Sequence, residues 1–344
     1  MKKKILITGV AGFIGFHVCK KLIENNQDIV GLDNLNSYYD ISLKEARLEE
    51  ISKISEKSNN QWKFIKIDLE NTSEINKIFT DFQPNIVIHL GAQAGVRFSI
   101  TNPHSYVKSN LVGFVNIIEA CRNNAIEHFI YASSSSVYGG NTKTPFHEDD
   151  PVNHQVSLYA ATKRSNELIA HTYSHLYKIP CTGLRFFTVY GPWGRPDMAP
   201  MIFTKAIFAK KPIRIFNKGQ MMRDFTYIDD VTEGITKLIN KPATPAANFN
   251  SDVPRPSTSW ASHRIFNIGN QESISLMKFI KILENEIGID AIKVYEDMQK
   301  GDVKITSAST NLLEKWTGFK PYTPIQEGIK RFVNWYKLYY NLEK

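Results

Sequence analysis

A glycine-rich turn follows the first apolar stretch of the chain, and its glycines are Gly9, Gly12 and Gly15. Residues 5–7 before it have the pattern of a buried strand, and the polar residues of 13–24 recur at the spacing of one helix face. A second apolar stretch, residues 29–32, ends at Asp33. This order predicts a βαβ unit in which the glycines let a ligand approach the backbone amides at the helix N-terminus.

The first residues imitate a secretory leader, because three lysines at residues 2–4 precede a mostly apolar stretch that ends at Phe16. No small-residue cleavage site follows, and the next polar residues are spaced like the polar face of a helix. We therefore expect a strand and a helix of the fold here. No stretch approaches the roughly 18 to 20 apolar residues of a membrane span.

Further apolar stretches, separated by segments long enough for crossover helices, recur at residues 64–67, 86–90, 129–132 and 181–186. Such spacing predicts a parallel sheet that is covered on both faces. We therefore predict an α/β fold with a Rossmann-type doubly wound parallel sheet and a smaller mixed α/β C-terminal lobe for substrate.

Prolines interrupt this pattern after Thr188. We therefore expect residues 1–187 to form a dinucleotide-binding domain and residues 188–344 to form the substrate lobe. Residues 241–262, rich in Pro, Ser, Ala and Asn, are expected to form a long surface loop. Residues 264–268 are expected to form a strand that returns to the first domain.

Asp33 indicates which dinucleotide the glycine-rich turn would hold. A carboxylate at the end of the second strand accepts hydrogen bonds from the adenosine ribose and would repel a 2′-phosphate. Residues 34–36 supply no arginine to hold such a phosphate. We therefore predict NAD, not NADP. Asp68 and Leu69 close the next strand; they either contact the adenine or belong to a helix cap, and both interpretations stay open.

Tyr159 and Lys163 have the Y-x-x-x-K spacing that puts two side chains on one helix face, one turn apart. Residues 133–136 are four serines directly after a predicted strand, at the edge where open parallel sheets bind ligands. A phenol with a pKa of about 10 needs about 4 kcal/mol to act as a base near neutral pH. An exposed ion pair supplies at most about 1 kcal/mol, so the predicted site must be partly buried.

The chain resembles the extended short-chain dehydrogenase/reductases of the NAD-dependent epimerase/dehydratase family, and within that family it looks like the UDP-glucuronate 4-epimerases. The likeness runs along nearly the whole chain, and the segments that carry it are residues 9–15, 36–40, 89–97, 133–139, 159–163, 185–198 and 223–230. The most specific of these is residues 185–198, whose sequence is R-F-F-T-V-Y-G-P-W-G-R-P-D-M.

The resemblance implies an enzyme that oxidises the sugar at C4 with tightly bound NAD, lets the 4-keto sugar rotate, and reduces it on the other face. Tyr159 would take the proton from the 4-hydroxyl group and Ser134 would hydrogen-bond the same oxygen. Lys163 would hold the nicotinamide ribose and lower the pKa of the tyrosine. The residues expected to contact the cofactor are Gly9, Gly12, Phe13, Ile14, Gly15, Asp33, Asn34, Asp68, Leu69, Tyr159 and Lys163.

Two positions bear on the choice of sugar. Related dehydratases and decarboxylases carry Asp or Glu just before V-Y-G, where this chain has Ser135 and Ser136, so simple epimerisation is favoured. Thr188 stands where epimerases of neutral and N-acetylated UDP-hexoses tend to have asparagine. The expected partners of a C6 carboxylate are Ser135, Ser136, Thr188 and Arg195, with Arg97 as a second suitable cation. A structural loop contact is the alternative for Arg195.

The contacts of the UDP group follow from the same resemblance. Arg223 matches the diphosphate-binding arginine, and Ile215 and Phe216 lie where the uracil packs. Asp302 matches a contact to the uridine ribose.

Other functions stay open on the sequence alone: epimerisation of UDP-glucose or of a UDP-N-acetylhexosamine, decarboxylation of UDP-glucuronate, and NAD-dependent regulation without turnover. A regulator would be expected to lose Tyr159, Lys163 or Ser134, and all three are present.

The net charge of +8, from 42 basic and 34 acidic side chains, would suit an anionic partner. No basic run beyond residues 2–4 and no recognition motif indicates nucleic acid. We expect a UDP-sugar as the partner, no nucleic acid, no membrane and, by resemblance, a homodimer. The three cysteines form no metal-binding cluster, so we expect no metal and a reducing cytoplasm.

Overall fold

The computed structural model describes residues 2–299 and 301–342 of the 344-residue chain. The strands of these residues, in chain order, are β1 (Lys4–Thr8), β2 (Asp28–Asp33), β3 (Trp62–Lys66), β4 (Ile86–His89), β5 (His128–Ser134), β6 (Cys181–Phe186), β7 (Thr188–Tyr190), β8 (Ile213–Ile215), β9 (Met222–Tyr227), β10 (His263–Ile268), β11 (Ser273–Ser275) and β12 (Lys293–Tyr295).

The helices of the same residues, in chain order, are α1 (Phe13–Glu24), α2 (Ile41–Ser55), α3 (Thr72–Phe82), α4 (Phe98–Thr101), α5 (Pro103–Tyr106), α6 (Gly113–Arg122), α7 (Leu158–Tyr177), α8 (Ala199–Phe208), α9 (Ile228–Ile239), α10 (Leu276–Ile287), α11 (Asn311–Thr317) and α12 (Ile325–Tyr339). A π-helical turn, Val107–Val112, joins α5 to α6, and 3₁₀ turns cover Ser135–Tyr138 and Phe216–Gly219.

Seven strands form the central sheet in the order β10-β6-β5-β4-β1-β2-β3, and all neighbours in it are parallel. The chain builds outward from β1 through β2 and β3, and then in the opposite direction from β4. This reversal leaves a crevice at the carboxyl ends of β1 and β4, where open α/β sheets bind ligands. The predicted Rossmann-type doubly wound α/β fold is confirmed.

Both faces of the sheet are buried, as the alternating side chains of β1 show. Ile5 and Ile7 pack in the same apolar cluster as Phe16 of α1. Leu6 points to the other face and packs in the cluster that contains Phe79 of α3 and Ile117 of α6. All six side chains are fully buried. A strand covered on both faces needs apolar residues at every position, which explains the unbroken apolar stretches of the sequence.

The second lobe contains two small sheets, which are the three-stranded β11-β9-β7 and the parallel pair β12-β8. β7 follows directly after β6 but belongs to the three-stranded sheet, so the lobe begins at the carboxyl end of β6. The lobe shares one continuous apolar cluster with the α1 face of the sheet, and this cluster includes the stacked rings of Phe225 and Phe279. The shared cluster fixes the lobe against the sheet.

The chain returns to the central sheet after the second lobe begins, because β10 pairs with β6 at the sheet edge. Residues 241–262 before it contain no helix or strand. α1 begins and ends at the predicted residues, whereas β3 begins two residues before the predicted stretch at 64–67. No helix in the described part of the chain is long and apolar enough to cross a bilayer. The division of the chain at residue 187 stays a prediction.

Candidate active site

A cavity of about 840 Å³ opens at the carboxyl edge of the central sheet and is lined by residues of both lobes. Twenty of the residues predicted from the sequence line it: Gly9, Gly12, Phe13, Ile14, Gly15, Asp33, Asn34, Asp68, Leu69, Arg97, Ser134, Ser135, Ser136, Tyr159, Lys163, Thr188, Arg195, Phe216, Arg223 and Asp302. Residues that are up to some 290 positions apart in sequence thus share one cavity.

The prediction for Ile215 is wrong. Its side chain is fully buried in the apolar core and does not line the cavity. Ile215 ends β8, and its carbonyl group accepts from Glu296, so the residue serves the small sheet. Its neighbour Phe216 begins the following turn and does face the cavity.

The glycine-rich turn forms a cradle that only glycine backbone permits. Gly9 has a φ of 71°, and a Cβ atom there would lie 2.7 Å from the backbone nitrogen of Gly91. A Cβ on Gly15 would collide with the carbonyl oxygen of Gly9. No side chain caps α1, and no acidic residue lies in its first turn. The backbone amides at its N-terminus are therefore available to an anion such as a pyrophosphate.

Asp33 lies beside this cradle at the end of β2. One carboxylate oxygen accepts from the backbone of Leu35 at 2.9 Å and the other from Ala11 at 3.2 Å. Burial raises the pKa of Asp33, and the nearby positive charges of Lys44 and Arg47 oppose that rise. The carboxylate is thus oriented by two backbone amides and retains acceptor capacity for a ribose. The glycine-rich turn and the helix N-terminus can bind a pyrophosphate, and Asp33 can bind a ribose, so the three features together suit a dinucleotide.

Lys44 is a cavity residue that sequence reasoning missed. Its amine donates to the carbonyl and side-chain oxygens of Asn36, at 2.7 and 3.0 Å, and burial lowers its pKa. Its position in the sequence could have indicated this role, because Lys44 lies in the first turns of the helix that follows residues 36–40, one of the segments that carry the resemblance.

Tyr159 and Lys163 lie in the first two turns of α7, which Ser157 caps by accepting from the backbone of Ala160. One helical turn brings both side chains to the carboxyl end of β5. There the Lys163 amine donates to the carbonyl oxygen of Ala132 at 2.9 Å. The helix therefore aims the predicted base and its lysine at one edge of the cavity.

Burial controls the protonation of this pair. It raises the pKa of Tyr159, while the hydroxyl of Ser134 and the charge of Arg195 act in the opposite direction. It lowers the pKa of Lys163 to about 8. The expected partial burial of the site is present, and the protein cation that favours the phenolate is Arg195.

The serines after β5 present hydroxyl groups to the same region. Ser134 ends the strand and accepts from the backbone of Ser136 at 3.1 Å, which closes the 3₁₀ turn. Ser135 and Ser136 in this turn and Thr188 at the start of β7 line the cavity. No carboxyl group belongs to the turn itself.

Arg195 does not project freely into the cavity. Its guanidinium group donates two hydrogen bonds to Asp197, and the hydroxyl group of Tyr38 donates to the same carboxylate at 3.0 Å. All three side chains line the cavity. Asp197 and Tyr38 were missed as site residues, although both lie in segments that carry the resemblance, 185–198 and 36–40.

Arg97 and Asp302 form an ion pair of 2.9 Å at the other end of the cavity. The guanidinium groups of Arg97 and Arg214 lie 5.0 and 5.2 Å from the ring centre of Phe216. Arg223 donates to two backbone carbonyl groups. Burial lowers its pKa, the charge of Asp302 opposes this effect and the charge of Arg97 adds to it. These residues make a second cationic region, which is separate from the one at Tyr159.

Comparison with known proteins gives one consistent result. Residues 5–269 match the family described as the NAD dependent epimerase/dehydratase family. The chain is 53% identical to Protein CapI of Staphylococcus aureus, with 98% of this chain and 99% of that protein aligned. It is 46% identical to a probable UDP-glucuronate 4-epimerase of Rhizobium meliloti, with 97% of this chain and 96% of that protein aligned.

A solved structure agrees with these sequence matches. The crystal structure of UDP-glucuronic acid 4-epimerase from Bacillus cereus with UDP-glucuronic acid and NAD has a TM-score of 0.85 to this fold. The two chains are 32% identical, and the match covers 98% of this chain and 100% of the other.

Proposed function

The chain belongs to the NAD dependent epimerase/dehydratase family, and from this membership we propose that it interconverts UDP-glucuronate and UDP-galacturonate. It is an NAD-dependent sugar epimerase. One observation carries the proposal: a single cavity contains Tyr159, Lys163 and Ser134 together with the glycine cradle and the partly buried Arg195. Bound NAD would supply the chemistry by accepting a hydride from the sugar and giving it back.

Tyr159 and Ser134 handle the proton that accompanies this hydride. In the proposal the phenol oxygen of Tyr159 takes the proton of the sugar 4-hydroxyl group and later returns it. The Ser134 hydroxyl group hydrogen-bonds the same sugar oxygen. Tyr159 is partly buried in the cavity wall, which reduces the access of bulk water to that proton.

Lys163 would hold the nicotinamide ribose from the same helix face as Tyr159. Its amine now donates to Ala132 at the end of β5, so one of its three N–H groups is fixed and two are available to ribose hydroxyls. The cofactor contacts proposed at the other end are Gly9, Gly12, Phe13, Ile14, Gly15, Asp33, Asn34, Asp68 and Leu69.

In the proposal each of the two cationic regions binds a different part of the UDP-sugar. Burial raises the pKa of Tyr159, and Arg195 is close enough to oppose that rise. The guanidinium group of Arg97 is instead paired with Asp302 at 2.9 Å. We therefore assign Arg195, with Ser135, Ser136 and Thr188, to the C6 carboxylate. Arg97 and Arg223 face the diphosphate, which leaves Asp302 for the uridine ribose and Phe216 for the uracil.

Epimerisation of a neutral UDP-hexose is the second candidate, and the Arg195–Asp197 pair favours it. Asp197 already neutralises the positive charge of Arg195, which would otherwise attract a C6 carboxylate. The solved UDP-glucose 4-epimerase of Thermotoga maritima has a TM-score of 0.82 to this fold at 28% identity. The absence of asparagine at position 188 and the 46% identity to the Rhizobium protein support the uronate.

The test is direct. Purified protein is incubated with UDP-glucuronate, without added cofactor, and the products are read by proton NMR. Appearance of the C4 epimer supports the proposal, and a UDP-pentose product would indicate decarboxylation instead. Turnover of UDP-glucose with no turnover of UDP-glucuronate would establish the second candidate.

We also propose that the protein is a homodimer joined through α6 and α7. Leu168 and Leu176 of α7 are 54% and 56% exposed, and Val112 beside α6 is 44% exposed. Such a set of apolar side chains on neighbouring helices is typical of an interaction surface. Light scattering on Leu168→Glu/Leu176→Glu should show a monomer where the unsubstituted chain is a dimer. A monomeric unsubstituted chain would contradict this proposal.

The cytoplasm is the proposed location. Cys19, Cys121 and Cys181 are all buried and free, as thiols are in a reducing compartment.

A further inference from the structure

Arg47 of α2 is fully buried, and its guanidinium group joins three separate segments of the chain. One terminal nitrogen donates to the carbonyl oxygen of Ala11 at 2.8 Å and to the hydroxyl group of Tyr39 at 2.7 Å. The other donates to the carbonyl oxygens of Trp193 at 2.6 Å and Gly194 at 3.3 Å. All four terminal N–H groups are therefore used.

Arg47 forms no direct salt bridge with any described residue, although its charge is close enough to Asp33 to oppose the rise in the pKa of that carboxyl group. None of the ion pairs formed by residues 2–299 and 301–342 includes it, and its Nε atom is buried without an acceptor. A buried charge without a counter-ion destabilises a fold unless other groups compensate it. The four hydrogen bonds of the guanidinium group provide that compensation, so the arginine is needed for the groups it binds and not as packing volume.

The segment that Arg47 holds is strained. Trp193 has a φ of 61°, a left-handed conformation that a bulky side chain rarely adopts. The carbonyl groups of residues 192–194 all accept hydrogen bonds. His17 of α1 donates to that of Pro192 at 2.9 Å, and Arg47 donates to those of Trp193 and Gly194. Such conformations persist only where the surroundings fix them, and they concentrate at functional sites.

The strained turn leads directly to the sugar end of the cavity. Arg195 follows Gly194, and the same guanidinium group of Arg47 also holds Ala11, between the glycines of the cofactor cradle. One side chain thus sets the distance between the cradle and the residue that faces the sugar.

We propose that Arg47 is a positioning residue that aligns Arg195 with the cofactor cradle, and that His17 supports it by holding the same turn. This inference rests on the proposed function for the role of Arg195 only. Neither Arg47 nor His17 needs to touch the substrate. Their effect passes through the carbonyl groups of residues 192–194 and, for Arg47 alone, through Ala11.

The experiment compares Arg47→Lys and His17→Phe with a matched control, Arg264→Met. Lysine keeps the charge but loses the fork that reaches three segments, and phenylalanine keeps a ring of similar size but loses the donor to Pro192. Arg264 also has a buried, unpartnered Nε atom, but it lies over Trp316 and away from the cavity. Three quantities are measured: kcat and KM for UDP-glucuronate, the NAD retained after gel filtration, and Tm.

Arg47→Lys should raise KM about tenfold or more and release NAD, because both the turn and the cradle lose their tie. His17→Phe should raise KM while NAD stays bound, because His17 holds only the turn. Arg264→Met should lower Tm and leave KM and NAD retention unchanged.

The inference is overturned if Arg47→Lys and His17→Phe lower Tm yet leave KM and NAD retention at the values of the unsubstituted protein. If Arg47→Lys does not fold, His17→Phe decides by the same criterion. If the unsubstituted protein does not epimerise UDP-glucuronate, the proposed function is contradicted instead. NAD retention then still tests the contact between Arg47 and the cradle: loss of NAD from Arg47→Lys supports it, and unchanged retention contradicts it.

Discussion

Arg195 and Asp197 are joined by two parallel hydrogen bonds, from Nε to Oδ1 at 3.0 Å and from Nη2 to Oδ2 at 2.5 Å. The pair lies in the cavity wall, within electrostatic reach of Tyr159. Two bonds fix the plane of the guanidinium group as well as its position. The carboxylate therefore orients Arg195 and at the same time reduces the net charge that a ligand meets.

Removal of this orienting carboxylate should weaken substrate binding. We expect Asp197→Ala to raise KM for UDP-glucuronate about tenfold, because the freed arginine samples several rotamers and a misplaced contact weakens catalysis. Asp197→Asn keeps one acceptor and should raise KM less. Steady-state kinetics of the two variants provide the measurement. A lower KM in Asp197→Ala would show that charge, and not orientation, is what the ligand requires.

Tyr159→Phe should abolish epimerisation with little effect on folding. The phenol oxygen is the proposed proton acceptor, and loss of such a group costs about 100-fold or more in rate. The remaining ring keeps its edge contact with Tyr106, so Tm and NAD retention should be unchanged. Proton NMR of the UDP-glucuronate reaction gives the rate. Tyr322→Phe, at a residue 76% exposed, is the matched control with full activity expected.

The pH dependence of the rate should follow the protonation of Tyr159. Burial raises its pKa and only the deprotonated phenol accepts a proton, so kcat should rise with pH above neutrality. Arg195 lowers this pKa, and Arg195→Met should therefore move the rising limb to higher pH. Saturating UDP-glucuronate separates the shift from any change in binding. Superimposable profiles for the two proteins would rule out the effect of Arg195 on the base.

Thr188→Asn should change the preferred sugar. Thr188 lines the cavity at the start of β7, where the larger amide would take the space assigned to the C6 carboxylate. We expect kcat/KM for UDP-glucuronate to fall about tenfold while that for UDP-glucose falls less or rises. Competing substrates in one NMR assay measure the ratio. Thr80→Asn, on the exposed side of α3, should leave the ratio unchanged, and an unchanged ratio in Thr188→Asn would remove that residue from the specificity site.

Glu148 should make the fold less stable as the pH rises. It is 1% exposed, lies outside the cavity, and burial raises its pKa from 4.5 to about 7. Its stabilising contribution is therefore complete below pH 4.5 and is lost as the pH rises to about 7. Glu148→Gln stays neutral and can still accept from the backbone of Asn267, which Glu148 does at 2.9 Å.

Denaturant unfolding of both proteins tests this. Above pH 7 the variant should be more stable than the unsubstituted protein by up to about 3 kcal/mol, and the two should converge below pH 4.5. Activity serves as the control and should not change. Equal stability at every pH would show that Glu148 ionises in the fold as it does in the unfolded chain.

The sequence by itself determined the features that depend on neighbours in the chain. Helix α1 begins at Phe13 and ends at Glu24 as predicted, because a glycine turn, an amphipathic period and a following strand are local signals. The Y-x-x-x-K pair also needed only helix geometry, since one turn of α7 puts both side chains on one face. The fold class followed because a strand buried on both faces must be apolar throughout.

Only the tertiary structure decided which side chains meet across the cavity. Arg195 was predicted as one partner of a C6 carboxylate, with a structural loop contact as the alternative. The fold brings Asp197 and the distant Tyr38 together at this arginine. Ile215 was predicted to line the site, but the sheet of the second lobe turns its side chain into the core. The link from Arg47 to Ala11 and Gly194 joins three segments that no periodicity relates. Such contacts depend on how two lobes are placed against each other, and that placement is set by the packing of the whole core and not by any local pattern.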